Sequence, residues 1–309
     1  MRKYIIWIGA IVLCSGITLT SCKKRETKKA EEPDKETETV QDNATMETIS
    51  NDLASMGSQL AETGSLTEYR GGSVELAMAP CATVSGVGSG TITVDFGTTG
   101  CVGKDGRTRT GKLFFDISAS TPTTAVYYRN PGFKVNISAL NYVVDGYQVT
   151  INNKSVANTT TNSIPTGTNP GVNLTWSVSA NISVVKPNNG GTITWVCNRT
   201  KELVNTSNPD CYKGQTLPID WSKAIVRING NASGTNAKGE SYTVTAIDLE
   251  RDFTCTPSAL QPYRHPFIKG KLNYTPGTRP TRYFDYGSGG CDFNATVTIN
   301  GVTYAITLP

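Results

Sequence analysis

The sequence has little histidine and little charge. His265 is the only histidine in 309 residues, and Asp, Glu, Lys and Arg together make up 17% of the chain, below the ~25% of an average globular protein. With one histidine, only one Ser-His-Asp arrangement is conceivable. His265 lies in Gln261-Pro-Tyr-Arg-His-Pro-Phe267, and no G-x-S-x-G elbow occurs, so a loop or surface histidine is the favoured reading. No C-x-x-C pair occurs either, which leaves no usual zinc site and no other metal site in the sequence. Gly86-Val-Gly-Ser-Gly90 is glycine-rich but opens no helix, and a phosphate cradle needs a helix N-terminus. No calcium-loop spacing appears. The net charge of +4 falls to +2 without Arg2 and Lys3, which is no footprint for nucleic acid. No cofactor is implied, no catalytic residue stands out, and the sparse catalytic vocabulary points away from an enzyme.

Long apolar runs are absent except at the start. Arg2 and Lys3 precede a predominantly apolar stretch from Ile5 to Leu19, which leads into Leu19-Thr20-Ser21-Cys22. The stretch is short and interrupted for a membrane span, and reads as a signal peptide. A branched residue, two small ones and a cysteine form a lipobox, so residues 1–22 are expected to end in a lipidated Cys22. Two or three acyl chains anchor stably, and the membrane is then a partner through the N-terminal lipid. Residues 23–45 open with KKRETKKAEEPDKETETVQ, too charged to bury a core, and read as a solvated tether. Its basic front is either a spacer or a contact for anionic headgroups.

Beyond the tether, Met46, Ile49, Leu53, Met56 and Leu60 recur at helical steps and predict an amphipathic helix over 46–64, packed on the body. From residue 77 the pattern changes to alternation and turns. Strands are expected over 91–96, 111–117, 133–140, 142–151, 172–185, 191–196, 224–229, 241–249, 266–274, 282–285, 295–300 and 303–307. Asp105-Gly106, Asp145-Gly146, Asn189-Gly190 and Asn300-Gly301 mark turns. Residues 152–170 are rich in Thr, Asn, Pro and Gly and suggest a boundary or long loop. The expected fold is all-β: a sandwich-like or multi-sheet antiparallel body with a first module over 77–165 and a second over 171–309. Beyond Cys14 and Cys22, six cysteines remain: Cys81, Cys101, Cys197, Cys211, Cys255 and Cys291. In an oxidising compartment they suggest three disulfides, with spacing favouring sequential pairing.

The chain also echoes itself. After Cys81 comes TITVDFGTTGC, ending at Cys101; after Cys255 comes TRYFDYGSGGC, ending at Cys291. A duplicated module and a convergent reuse of Gly turns both account for this. ITVDFGTTGCVGKDGRTRTGKLFF and the C-terminal YFDYGSGGCDFNATVTINGVTYAITL resemble a group of uncharacterised Bacteroidetes envelope lipoproteins with a lipobox, charged tether and β-rich body. That resemblance implies an anchored protein, at the outer membrane, without an established activity. Surface lipoproteins of that phylum often carry an acidic signal after the lipid cysteine, where this chain has Lys23, Lys24 and Arg25.

Several residues are candidates for ligand contact. Arg107 and Arg109, on one face of a strand, suit an anionic glycan or an edge strand guarded by charge. Trp176, Trp195 and Trp221 form either a sugar platform or core, with core favoured for Trp195 beside Cys197. Tyr286 flanks Asp285 together with Tyr283 and Phe284. A glycosidase would need two carboxylates about 5–10 Å apart, and Asp95, Asp116, Asp220, Asp248, Glu250, Asp252, Asp285 and Asp292 are available. For Asp95 and Asp285, each two residues before a Gly, a structural role accepting backbone N–H is favoured. The functional expectation is an envelope-anchored, non-catalytic binding, adhesive or structural module whose partner is a glycan or envelope protein. The alternative is a carbohydrate-active hydrolase or its glycan-binding accessory.

Overall fold

A computed structural model describes residues 38–63, 79, 81–103, 106–161, 172–204, 210–257 and 266–307. The expected signal peptide, Cys22, most of the tether and His265 lie outside the described residues. The described chain consists of one helix, α1 (Glu38–Thr63), and fourteen strands. These are β1 (Thr83–Ser85), β2 (Thr91–Asp95), β3 (Cys101–Val102), β4 (Thr108–Asp116), β5 (Lys134–Val144), β6 (Tyr147–Asn158) and β7 (Leu174–Val185). They continue with β8 (Thr192–Leu203), β9 (Ile225–Thr235), β10 (Ser241–Asp252), β11 (Phe267–Pro276), β12 (Arg282–Ser288), β13 (Asn294–Ile299) and β14 (Val302–Thr307).

All fourteen strands belong to one antiparallel sheet. Its order follows the chain from β1 to β14, with β3 attached to β4 beside the main path. This corrects the sandwich-like or multi-sheet expectation. Of the stretch 152–170, read as a boundary or long loop, residues 152–158 are strand, since β6 and β7 pair from Gln148↔Val185 to Asn158↔Trp176, while residues 162–170 lie outside the described residues. The Asn- and Thr-rich composition of β6 reads as loop, but these residues lie on a strand whose outward side chains face solvent or polar neighbours. Ser155 meets Ser179 at 2.9 Å, and Thr194 meets Thr235 at 2.7 Å. Two tight turns match the sequence cues: Asp145 and Gly146, and Asn300 and Gly301, all have positive φ, as a hairpin turn of this kind demands.

The inward side chains of the sheet are apolar. Val135 and Ile137, Leu174 and Trp176, Ile182 and Val184, Ile193 and Trp195, and Tyr242 and Val244 are all buried. A sandwich would cover such a face with a second sheet. Here α1 does so, and the sheet cradles it: Met46, Ile49, Leu53, Met56 and Leu60 are each at most 2% exposed. The helix is longer than the stripe suggests, since residues 38–45, read as tether, form its first two turns. Thr39, Asp42 and Asn43 are buried there. They are polar, so hydrophobic periodicity passes over them, but Asp42 and Asn43 find partners on the sheet and its turns.

Two disulfides are present, Cys81–Cys101 and Cys255–Cys291. The expected Cys197–Cys211 bridge is not, and both residues keep buried thiols. Cys197 faces the core in mid-β8, opposite Ala180. Cys211 lies beyond the end of β8, where its carbonyl accepts the Asp220 N–H. Six residues of strand separate Cys197 from Leu203, about 20 Å, whereas a disulfide needs Cα atoms within about 7 Å.

Both disulfides sit at matched corners. Asp95 Oδ1 accepts the Gly97 N–H and Asp285 Oδ1 accepts the Gly287 N–H, each at 2.9 Å. Asp95 pairs in register with Lys112, and Asp285 with Lys271. The lysines follow Gly111 and Gly270, whose positive φ values face left-handed Asn141 and Asp248 on the next strand. Yet the aspartate strand precedes the Gly-Lys strand at the first corner and follows it at the second. The order of cysteine, aspartate, glycine and cysteine is nevertheless the same at both corners. In an alternating meander, a half-turn about the sheet normal between β7 and β8 relates the two corners.

A Cβ added at Gly111 would lie 2.1 Å from the Asn141 carbonyl oxygen, and one at Gly270 the same distance from that of Asp248. Gly111→Ala and Gly270→Ala are therefore each expected to cost at least about 1–3 kcal/mol of stability, read as a lower urea midpoint. A midpoint unchanged in both variants would remove the tight bulges from the fold.

Candidate functional site

The concave face of the sheet is where a ligand would be sought, and α1 occupies it. The helix carries five acids, Glu38, Asp42, Glu47, Asp52 and Glu62, and no base. Each meets a cation from the sheet or its turns. Asp52 receives both Arg109 Nη2 contacts, at 2.8 and 2.9 Å, and Arg107 at 3.3 Å. Asp42 takes Lys186 Nζ at 2.7 Å and the Ala237 N–H at 2.8 Å. Glu47 pairs with Arg199, Glu62 with Arg129 and Glu38 with Lys238. Asn43 accepts the Trp195 indole N–H at 3.1 Å, and Ser50 accepts from Lys154 Nζ at 2.6 Å.

These pairs differ in weight. Lys238 is largely exposed, and a pair of that kind contributes little. Arg109 is fully buried and Arg199 and Arg129 nearly so; without their carboxylates they would be bare charges in the core. Burial raises the Glu62 carboxyl above its usual range, with Arg129 opposing. Burial likewise pushes the Lys154 amine down to about 8 and the Cys197 thiol up to about 11. Lys154 and Cys197 share one row of the sheet, on either side of Ala180.

The candidate ligand residues therefore fall mostly in the core. Arg107 and Arg109 do share a face, but that face is turned to Asp52, and β4 lies between β2 and β5 rather than at an edge. Trp176 stacks on Tyr128 with centroids 4.7 Å apart and donates its N–H to the Tyr128 carbonyl at 3.0 Å. Trp221 closes the same cluster, tilted against both rings, with Lys201 over it at 5.1 Å. These tryptophans are packing, not a platform. Tyr286 is half-buried and rests edge-on against Phe267. It alone of the set lines an open groove, about 630 Å³ at the rim of β12–β14, together with Asp285, Asp292 and Asn294.

The eight candidate carboxylates are each engaged locally. Asp95 is held by Lys112, whose hydrogen bond lowers its pKa below the usual carboxylate range, and by Gly97. Asp116 and Asp252 accept N–H groups two residues on, as does Asp292. Asp220 caps the single turn Trp221–Lys223. Asp248 accepts from Asn229, Glu250 from Arg227, and Asp285 from Gly287. Among the described residues no group of three or more His, Cys, Asp and Glu gathers as a metal site would require.

The residues that matter on the helix, Asp42, Glu47, Ser50, Asp52 and Glu62, are not legible as a site from hydrophobic periodicity. One signal was available: residues 38–63 hold five acids without a base. On the strands, Lys154 and Arg199 sit at the inward parity shared with Val156 and Cys197. Comparison with protein-family models, with curated proteins and with solved structures finds no match to this chain.

Asp52→Ala leaves Arg109 buried without its carboxylate, and a loss of about 3–5 kcal/mol is expected in urea unfolding. A loss below about 1 kcal/mol would show that the pair is not desolvated as drawn. Lys154 gives a pH signature. Its folded pKa is lowered from 10.5 to about 8, so above pH 8 the unfolded chain binds more protons and stability rises with pH. Cys197, raised from 9.0 to about 11, opposes this once pH exceeds 9. The rise is therefore expected between about pH 8 and 9. Lys154→Met should abolish it and raise the midpoint at pH 7; a persisting rise would assign it to another group.

Proposed function

We propose that the protein is a lipid-anchored envelope module, at the outer membrane, that acts by binding, adhesion or structural support and not by catalysis. The observation that carries the non-catalytic reading is the filled concave face. The surface on which a substrate cleft would open is instead a core, closed by α1 and the ion pairs of its five acids. The engaged state of the eight carboxylates supports it further, since a glycosidase needs one carboxyl to donate a proton and another to attack or activate water. The anchoring part rests on the lipobox residues, and on the resemblance to the Bacteroidetes envelope lipoproteins.

One observation favours a second reading, a glycan-binding accessory. The rim groove at β12–β14 combines an aromatic ring, two carboxylates and the Asn294 amide, the mixture with which proteins stack and hydrogen-bond a sugar.

Labelled palmitate tests the anchor: the wild-type chain should take up label and partition into detergent, and Cys22→Ser should do neither. Label retained by Cys22→Ser would defeat it, and recovery of the wild type with the inner membrane would defeat the outer-membrane part. Glycan and peptidoglycan arrays separate the other readings. Retention that Tyr286→Ala weakens by about ten-fold, a change of ~1.4 kcal/mol, selects the rim groove. Release of sugar from any polysaccharide overturns the non-catalytic reading.

A further inference from the structure

We propose that the last strand, β14, is an interface at which two copies of this chain join their sheets about a two-fold axis. The inward residues of the last hairpin are apolar and face each other in register: Ala295↔Ile306, Val297↔Tyr304 and Ile299↔Val302. The ion pairs and hydrogen bonds that hold Asp52 and Asp42 of α1 run from β4 to the β9–β10 turn. Val302 is 52% exposed, and Tyr304 and Ile306 are half-buried. An apolar stripe thus continues past the helix to the boundary of the sheet.

That boundary is undefended. Among the described residues no strand pairs with the outer side of β14, so within them its outward backbone N–H and C=O groups have no strand partner. Proteins blunt such edges with charge, proline, a bulge or brevity. Residues 294–307 contain no charged residue and no proline, and the β13–β14 register is unbroken over six pairs. The opposite edge, β1, has only three residues.

The occupant that fits is a second β14. An uncharged strand meets its own copy without like-charge repulsion. Side chains directly opposite in an antiparallel pair share a face, and a two-fold axis along the sheet normal keeps both concave faces on one side. An inward residue then opposes an inward one, and the register that pairs all three inward residues of β14 among themselves places the axis at Tyr304. Tyr304 meets its equivalent, and Val302 of each copy lies opposite Ile306 of the other. The apolar stripe becomes continuous, and the alternating meander runs through the joint.

Density-matched sedimentation equilibrium of the full lipidated chain in mild detergent tests this, with substitutions at the axis. The wild type is expected to be a dimer at micromolar concentration. Tyr304→Lys, which opposes two ammonium groups, should weaken it by at least about ten-fold. Tyr304→Cys should cross-link two copies on mild oxidation, because residues opposite in an antiparallel pair have Cα atoms about 4.5–5.5 Å apart, within disulfide range. Val302→Cys should not, since four residues offset it from its equivalent. A wild-type monomer, including one that carries a different protein along β14, overturns the proposal. So does a dimer that Tyr304→Lys leaves intact, or cross-linking through Val302→Cys in place of Tyr304→Cys. The far-ultraviolet spectrum of each variant verifies that the sheet is retained.

Discussion

Charge neutralisation between one acidic helix and a cationic sheet face governs this structure. A long one-layer sheet has no core of its own: its inward Val, Ile, Trp and Tyr side chains need a cover, and the cover here is a single helix. The strands also carry Arg109, Lys154 and Arg199 inward. Placing those cations against an apolar helix would cost several kcal/mol each, so the helix that fits must bring carboxylates at matching positions. Asp52 does this for Arg109 and Glu47 for Arg199. Lys154 is the exception, hydrogen-bonded to the neutral Ser50 hydroxyl, and its buried amine is correspondingly easier to deprotonate.

The strands were largely legible because their signals are local. Alternation and turns such as Asp145-Gly146 and Asn300-Gly301 act over a few residues and join neighbours in the meander, although the β4–β5, β6–β7, β8–β9 and β10–β11 connections are long. The number of layers was not legible. A strand buried on one side alternates identically whether a second sheet or a helix covers it, so the pattern from Val172 to Val185 suits both. The first turns of α1 escaped for a related reason. Thr39, Asp42 and Asn43 are inward yet polar, and the partners of the last two, Lys186 and Ala237 for Asp42 and Trp195 for Asn43, are distant in sequence.

The candidate site was legible in its residue types and not in its roles. Strand alternation puts Arg107 and Arg109 on one face, as they are, but does not tell whether that face meets solvent or, as here, Asp52. Tryptophan spacing suits platform and core alike, and Trp176 is wholly buried. Asp95 and Asp285 were given structural parts as acceptors for Gly turns, and the bonds to Gly97 and Gly287 are in place. The cysteines divide by the same logic of location. The two bridged pairs bracket loops at matched corners, while Cys197 points into the core of a long strand that keeps Cys211 away.

The span of the Asp42 contacts bears on how the chain reaches its native state. Its bond to the Ala237 N–H crosses 195 residues of sequence. The helix comes first in the chain, and its final partner hairpin, β9–β10, comes late. High separation of this kind is slow to close, since loop entropy must be overcome before the contact returns anything. Until about residue 238 has emerged, the helix can hold only part of its seat, and the inward strands stay incompletely covered. A chain delivered from its N-terminus would thus complete its core late, in a concerted step, rather than strand by strand.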